Sequence, residues 1–225
     1  MANKHLIWDF PTRLFHWLLV AGITAQWLTG EYLDDAIDWH FTIGYCVLGL
    51  IIFRILWGFL GTRYAKFSSL PLNPRHALDY ARSLPDKHSK PHAGHNPVGS
   101  WMVLIMLLAV LLQAVSGLFV SDEIFSEGPY RSVASKAVLE VMEFIHFNLF
   151  DVLLILIGLH VSAALFYQLY KKQAIITAMF SGKKTVEASP INGSRLLTAL
   201  ITTAIVAGAV YLLVVVLPPE PELYF

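Results

Sequence analysis

Charge is scarce in this chain. Only 14% of its 225 residues are charged, sixteen cationic against sixteen acidic, so the formal net charge is zero. With no basic excess there is no electrostatic footprint for nucleic acid, and where the charges lie matters more than their sum. Cysteine is scarcer still, with Cys46 alone in an apolar run. One thiol closes no internal disulfide, and a thiolate-held metal cluster, which takes several, is excluded. A cleavable leader is missing too: the first apolar run follows Trp8-Asp9-Phe10-Pro11 and lacks a small-residue cleavage site, so the first helix is expected to be retained.

What abounds is apolar. Such residues make up 56% of the chain and the mean hydropathy is positive, a membrane composition. A helix needs about 20 mostly apolar residues to cross a hydrocarbon core of roughly 30 Å, and residues 12–30, 40–60, 98–120, 144–170 and 196–217 qualify. Continuous apolar runs, rather than short alternating ones, predict an all-α integral membrane bundle and not a barrel. The expected organisation is a four-helix core over residues 1–180, a polar cytoplasmic linker over 181–195, a fifth helix appended at 196–217, and a periplasmic tail at 218–225. Within that tail Glu222-Leu223-Tyr224-Phe225 reads as a non-native remnant.

Fourteen of the sixteen Lys and Arg residues fall in the N-terminus and in the second and fourth connections, leaving only Arg131 and Lys136 on the opposite side. That side carries Glu31, Asp34, Asp35, Asp38, Asp122, Glu123, Glu127, Glu140, Glu143, Glu220 and Glu222. By the positive-inside rule the N-terminus is cytoplasmic and the C-terminus periplasmic, in a bacterial inner membrane. In the long second connection, residues 73–84 read as an amphipathic surface helix started by Pro74, and residues 85–97 as a mobile lead-in to the third span.

Four histidines, His16, His40, His146 and His160, fall inside spans, where imidazole is costly and suggests function by default. A lone intramembrane histidine as often merely bonds a neighbouring helix. The constellation argues otherwise. His146 and His160 are fourteen residues apart on the fourth span, about 21 Å along a helix and within roughly 40° of the same face. His16 enters from the cytoplasmic side and His40 from the outer side, so His16 is depth-matched with His160, and His40 with His146. Two bis-histidine pairs at two depths in a bundle suit two haem b groups, with imidazole on both faces of each iron. Zinc would gather three or four ligands at one depth. Gly22, Gly44, Gly158 and Ala163 are small residues near the ligands that would let a flat macrocycle approach. Arg13, one turn before His16, is a candidate partner for a haem propionate, with Arg54 a second; interfacial anchoring is the alternative for both.

These segments also resemble the prokaryotic cytochrome b561 and nickel–iron hydrogenase b-type cytochrome family, related to the membrane subunit of formate dehydrogenase. The resemblance covers roughly residues 5–180. It rests on Trp8-Asp9-Phe10-Pro11-Thr12-Arg13-Leu14-Phe15-His16-Trp17, on Asp38-Trp39-His40-Phe41-Thr42-Ile43-Gly44-Tyr45, on Gly94-His95-Asn96-Pro97-Val98-Gly99, and on His146 through His160. It implies His16 and His160 as ligands of the cytoplasm-side haem and His40 and His146 of the periplasm-side haem, with electrons crossing between them. It also implies a quinone site at the start of the third span, where Asn96 would bond a quinone carbonyl and His95 relay a proton, its ordinary pKa of about 6.5 suiting that exchange. Two alternatives remain: Asn96-Pro97 as a plain helix start, and His95 as a rival of His160 for the inner haem.

The leading function is a respiratory electron-transfer module linking the quinone pool to a periplasmic c-type cytochrome or to dehydrogenase or hydrogenase subunits. The acids beside His40 would attract a basic carrier, although the positive-inside bias also explains them. A superoxide:quinone oxidoreductase is the second reading, and it lacks the cationic outer pocket that an anionic oxidant requires. A haem-free membrane anchor or proton relay is the third.

Overall fold

The computed structural model describes residues 4–86, 91–122 and 126–219. The residues proposed as a non-native remnant, and part of the lead-in at 85–97, lie outside these. The described chain is helical apart from one small sheet. In order it runs β1 (Lys4–Leu6), α1 (Phe10–Glu31), α2 (Ile37–Leu60), α3 (Pro74–Arg82), α4 (Pro97–Ser116), α5 (Lys136–Leu165), α6 (Ile175–Ser181), β2 (Lys183–Thr185) and α7 (Leu196–Tyr211). The segments Ile37–Leu60, Pro97–Phe119, Lys136–Tyr170 and Leu196–Val216 are long and apolar enough to cross a membrane. Their outward faces are greasy, with Phe144, Ile155, Leu197 and Leu200 well exposed, as a lipid-facing surface requires. α1 has the length of a span, but Arg13, His16, Gln26 and Thr29 make it the most polar of the five long helices. The last turns of α5 and α7 widen into π-helix at Phe166–Tyr170 and Leu212–Val216.

The chain packs as two compact units that divide the long helices between them. The first comprises Met1–His16, Arg54–Leu107 and Ile155–Thr202. Its core gathers Ile7, Trp8, Tyr64, Ala178, Val186 and Ile191. Asp9 caps α1, its Oδ1 accepting from the Thr12 amide at 2.7 Å, and its carboxylate also takes the Trp57 indole N–H and the Thr62 hydroxyl. β1 and β2 pair antiparallel with His5 opposite Lys184. α6 ends on Gly182 at φ +77°, whose carbonyl receives the amides of Ile7 and Trp8. The segment expected to be a polar linker is therefore tied to the N-terminal strand, and the Ile191 amide donates to the Leu6 carbonyl. The amphipathic helix forms as expected: Asn73 accepts from the amides of Arg75 and His76, Pro74 is the first residue, and Tyr80 bonds Tyr167 hydroxyl to hydroxyl at 2.9 Å.

The second unit comprises Trp17–Phe53, Leu108–Leu154 and Thr203–Phe225. In it α7 packs against Gly49 of α2 through Val206 and Val210, and the Tyr130 hydroxyl donates to the Leu213 carbonyl at 2.7 Å. The fifth long helix is thus packed into the unit. The connection between α4 and α5 carries a bridge between Ser121 and Glu127, and Arg131 in it forms an ion pair with Glu143.

Candidate haem-ligand sites

Each unit contains one pair of facing histidines on its long helices. In the first, α1 carries His16 and α5 carries His160, with ring centres 6.3 Å apart and planes at 51°. In the second, α2 carries His40 and α5 carries His146, again 6.3 Å apart, with planes at 80°. That spacing is informative. A metal–imidazole bond is about 2.0 Å and the ring centre lies about 1.1 Å behind its nitrogen, so two axial imidazoles on one metal have centres about 6.2 Å apart. A direct hydrogen bond between two rings would bring the centres to about 5 Å. Both pairs therefore fit one iron held between two imidazoles. Among the described residues no three or more His, Cys, Asp or Glu side chains come together as a metal site, which is the arrangement zinc would need.

The second pair, His40 with His146, is held by matching neighbours. Gln26 Nε2 donates to the His40 carbonyl and Gln113 Nε2 to the His146 carbonyl, both at 2.9 Å. Thr29 Oγ1 lies 3.2 Å from His40 Nδ1, and Ser116 Oγ 3.3 Å from His146 Nδ1. Gly30 and Gly117 leave the space the rings occupy: a Cβ at Gly30 would sit 3.1 Å from His40 Cε1, and one at Gly117 2.9 Å from His146 Cε1. Sequence reading passed over these residues, although Gln26-Trp27-Leu28-Thr29-Gly30 and Gln113-Ala114-Val115-Ser116-Gly117 share one pattern. The glycines it did single out divide. Gly158 has open space around it, whereas Gly44 is covered by the Gln26 amide and Gly22 by Val47.

Arg13 and Arg54 belong to the same unit as His16 and His160. Arg54 is almost fully buried, stacks 5.4 Å from the Phe67 ring, and its Nη1 has no hydrogen-bond partner among the described residues. Arg13 donates to the Phe180 carbonyl and lies over the Phe10 ring, so one of its nitrogens anchors α6. Asn96 Oδ1 accepts from the Gly99 amide at 2.7 Å, capping α4, and its side chain also bonds Tyr167. The helix-start reading of Asn96-Pro97 thus holds, with part of the amide already engaged. His95 rests against Trp8 at 4.8 Å between ring centres. Burial first, then the charges of Arg54 and Lys184, lower its pKa to about 3, so the ring is neutral near pH 7. That suits a hydrogen-bonding group better than the proton relay its ordinary value allowed. Lys184 Nζ reaches the carbonyls of His92, Ala93 and Gly94 at 3.0–3.3 Å, holding this segment over β2. Beside it opens a cleft of about 710 Å³ lined by Tyr64, His92, His95, Arg63, Lys66 and Arg195 among others, with no acidic residue in its lining.

Comparison with known proteins agrees with this geometry. The family described as prokaryotic cytochrome b561 matches residues 7–182. Similar curated proteins are named probable Ni/Fe-hydrogenase B-type cytochrome subunits. That of Rhizobium leguminosarum bv. viciae is 21% identical over 79% of this chain and 87% of its own length. That of Azotobacter chroococcum mcd 1 is 23% identical over 78% and 86%. That of Rhodobacter capsulatus is 22% identical over 80% of each. No solved structure matches the chain at a significant level. The match over most of the chain, joined to apolar spanning helices and paired facing imidazoles, makes it a member of the prokaryotic cytochrome b561 family, haem-bearing membrane proteins of electron transfer.

Proposed function

We propose that the protein is a transmembrane di-haem cytochrome b, passing electrons between a quinone site on the cytoplasmic side and a periplasmic redox partner. The observation that carries this is the recurrence of one spacing, 6.3 Å between imidazole centres, at two separate histidine pairs. His16 and His160 would hold the inner haem, His40 and His146 the outer. When bound, each haem supplies a reversible one-electron change at iron; the chain's part is to ligate it, exclude water and set its potential through burial and charge.

The quinone site is supported by the cleft beside the start of α4, where His95 Nδ1 is buried without a hydrogen-bond partner among the described residues and the Asn96 cap fixes the backbone. Arg54 and Arg13 are both candidate propionate partners, each with one buried nitrogen lacking a hydrogen-bond partner among the described residues, although Arg13 also donates to the Phe180 carbonyl. The exposed acids Glu31, Asp34, Asp35 and Asp38, close to His40 in the chain, favour a basic carrier such as a c-type cytochrome. The relatives' names make a hydrogenase the other candidate donor. The inner membrane, with N-terminus inside and C-terminus outside, follows from the Lys and Arg distribution. Reduced-minus-oxidised spectra of His16→Ala and His40→Ala test the ligand sets: each variant should lose one haem and keep the other. Loss of neither would sink the assignment.

A further inference from the structure

The two pairs of helices that meet at the outer site repeat one another in register. Asp9 and Asn96 cap α1 and α4 in the same way, each accepting from the amide three residues on at 2.7 Å. In both helices a glutamine follows the cap by 17 residues, then a hydroxyl three residues later, then a glycine, giving Gln26, Thr29, Gly30 and Gln113, Ser116, Gly117. In the helices that follow, α2 and α5, histidine and the next chemically marked position are 14 apart in both: His40 with Arg54, His146 with His160. Arg54 therefore stands where its counterpart has a histidine ligand. The repeat is intact at the outer pair and broken at the inner one, where His16 has Val103 as its counterpart.

We propose that Gln26 with Thr29, and Gln113 with Ser116, form a duplicated clamp whose positioning residues fix the tautomer and the ring orientation of the outer haem's two ligands, His40 and His146. This rests on the di-haem reading. The chemistry follows from counting protons. A hydroxyl has one hydrogen to give, and Thr29 gives it to the Ala25 carbonyl at 2.8 Å while Ser116 gives its own to the Gln113 carbonyl at 2.9 Å. Each oxygen is left as an acceptor facing an imidazole Nδ1. The ring proton must then lie on Nδ1, which leaves the Nε2 lone pair of both histidines free for iron. The glutamine amide pins the backbone from which each ring hangs, and the glycine admits the ring edge. With each imidazole bonded to a hydroxyl on a different helix, neither turns freely, and the near-perpendicular angle of 80° is the product of the two bonds. Donation from Nδ1–H also makes the imidazole a better electron donor, which favours ferric iron and lowers the potential of this haem.

The two halves are alike. His146 Nδ1 also lies 3.1 Å from the Gln113 carbonyl, so it keeps an acceptor when the Ser116 hydroxyl is removed. The His40 ring is backed in the same way, bonding the Gln26 backbone as well as facing the Thr29 oxygen. The test is redox titration with low-temperature EPR of the full-length protein in detergent, on wild type, Thr29→Val, Thr29→Ser and Ser116→Ala, with haem counted per chain. Thr29→Val is expected to keep two haems, to raise the outer haem's potential, and to move the strongly anisotropic ferric signal that perpendicular ligand planes give, leaving the inner haem's signal in place. Ser116→Ala should do the same, and Thr29→Ser should match wild type. Where Thr29→Val does not assemble, recovery of the wild-type signal by Thr29→Ser and the shift in Ser116→Ala carry the same decision. Two haems with unchanged outer potential and signal in Thr29→Val and Ser116→Ala would overturn the clamp while leaving the di-haem reading intact. A wild-type protein with fewer than two haems would overturn both.

Discussion

Asp9 concentrates in one residue much of what holds the first unit together. Its buried carboxylate caps α1, takes the Trp57 indole and the Thr62 hydroxyl, and so joins three segments. Asp9→Ala leaves those donors buried and unpaired, and a loss of about 2–4 kcal/mol is expected in denaturant titration, with Asp9→Asn milder because the cap survives. Lys184 gives a second prediction. Burial lowers its pKa from 10.5 to about 8. Between those values the unfolded chain still holds the proton that the folded chain has released, so folding is favoured as pH rises through this window. Stability should climb by up to about 1.4 kcal/mol per pH unit there, and Lys184→Met should flatten the slope. The four histidines were legible in the sequence because imidazole is out of place in hydrocarbon and their depths match in pairs. Gln26, Thr29, Gln113 and Ser116 were not, since a lone amide or hydroxyl in a membrane helix is ordinary and only its partner gives it meaning.

At the scale of elements, the helices followed from their apolar runs, and α3 from its Asn73-Pro74 start. The β1–β2 pairing was invisible, because Leu6 and Lys183 are far apart in sequence and three-residue strands leave no periodic pattern. The same non-local contact turned an expected linker into packed structure. Close approach of α4 to α5 at Gly117 makes a separate prediction. A methyl there would lie 2.9 Å from the His146 ring, whereas Gly208 on α7 has open space. Gly117→Ala should weaken retention of the outer haem by about 10-fold, the usual cost of disturbing a ligand's support, and Gly208→Ala should leave haem content unchanged. Haem per chain after extended washing reads both.

For the whole molecule, one long helix, α5, carries one histidine of each pair, while α1 and α2 carry one each. In the proposed di-haem arrangement the second ligand of each iron would be independently removable, and the two sites are expected to be separable by mutation. The central claim is two bis-histidine haems on one chain. It is tested most directly by purifying the full-length protein in mild detergent, counting haem b per chain, and recording its dithionite-reduced spectrum. The account predicts two low-spin haems per chain; one haem, or none, in protein produced with ample haem supply would contradict it.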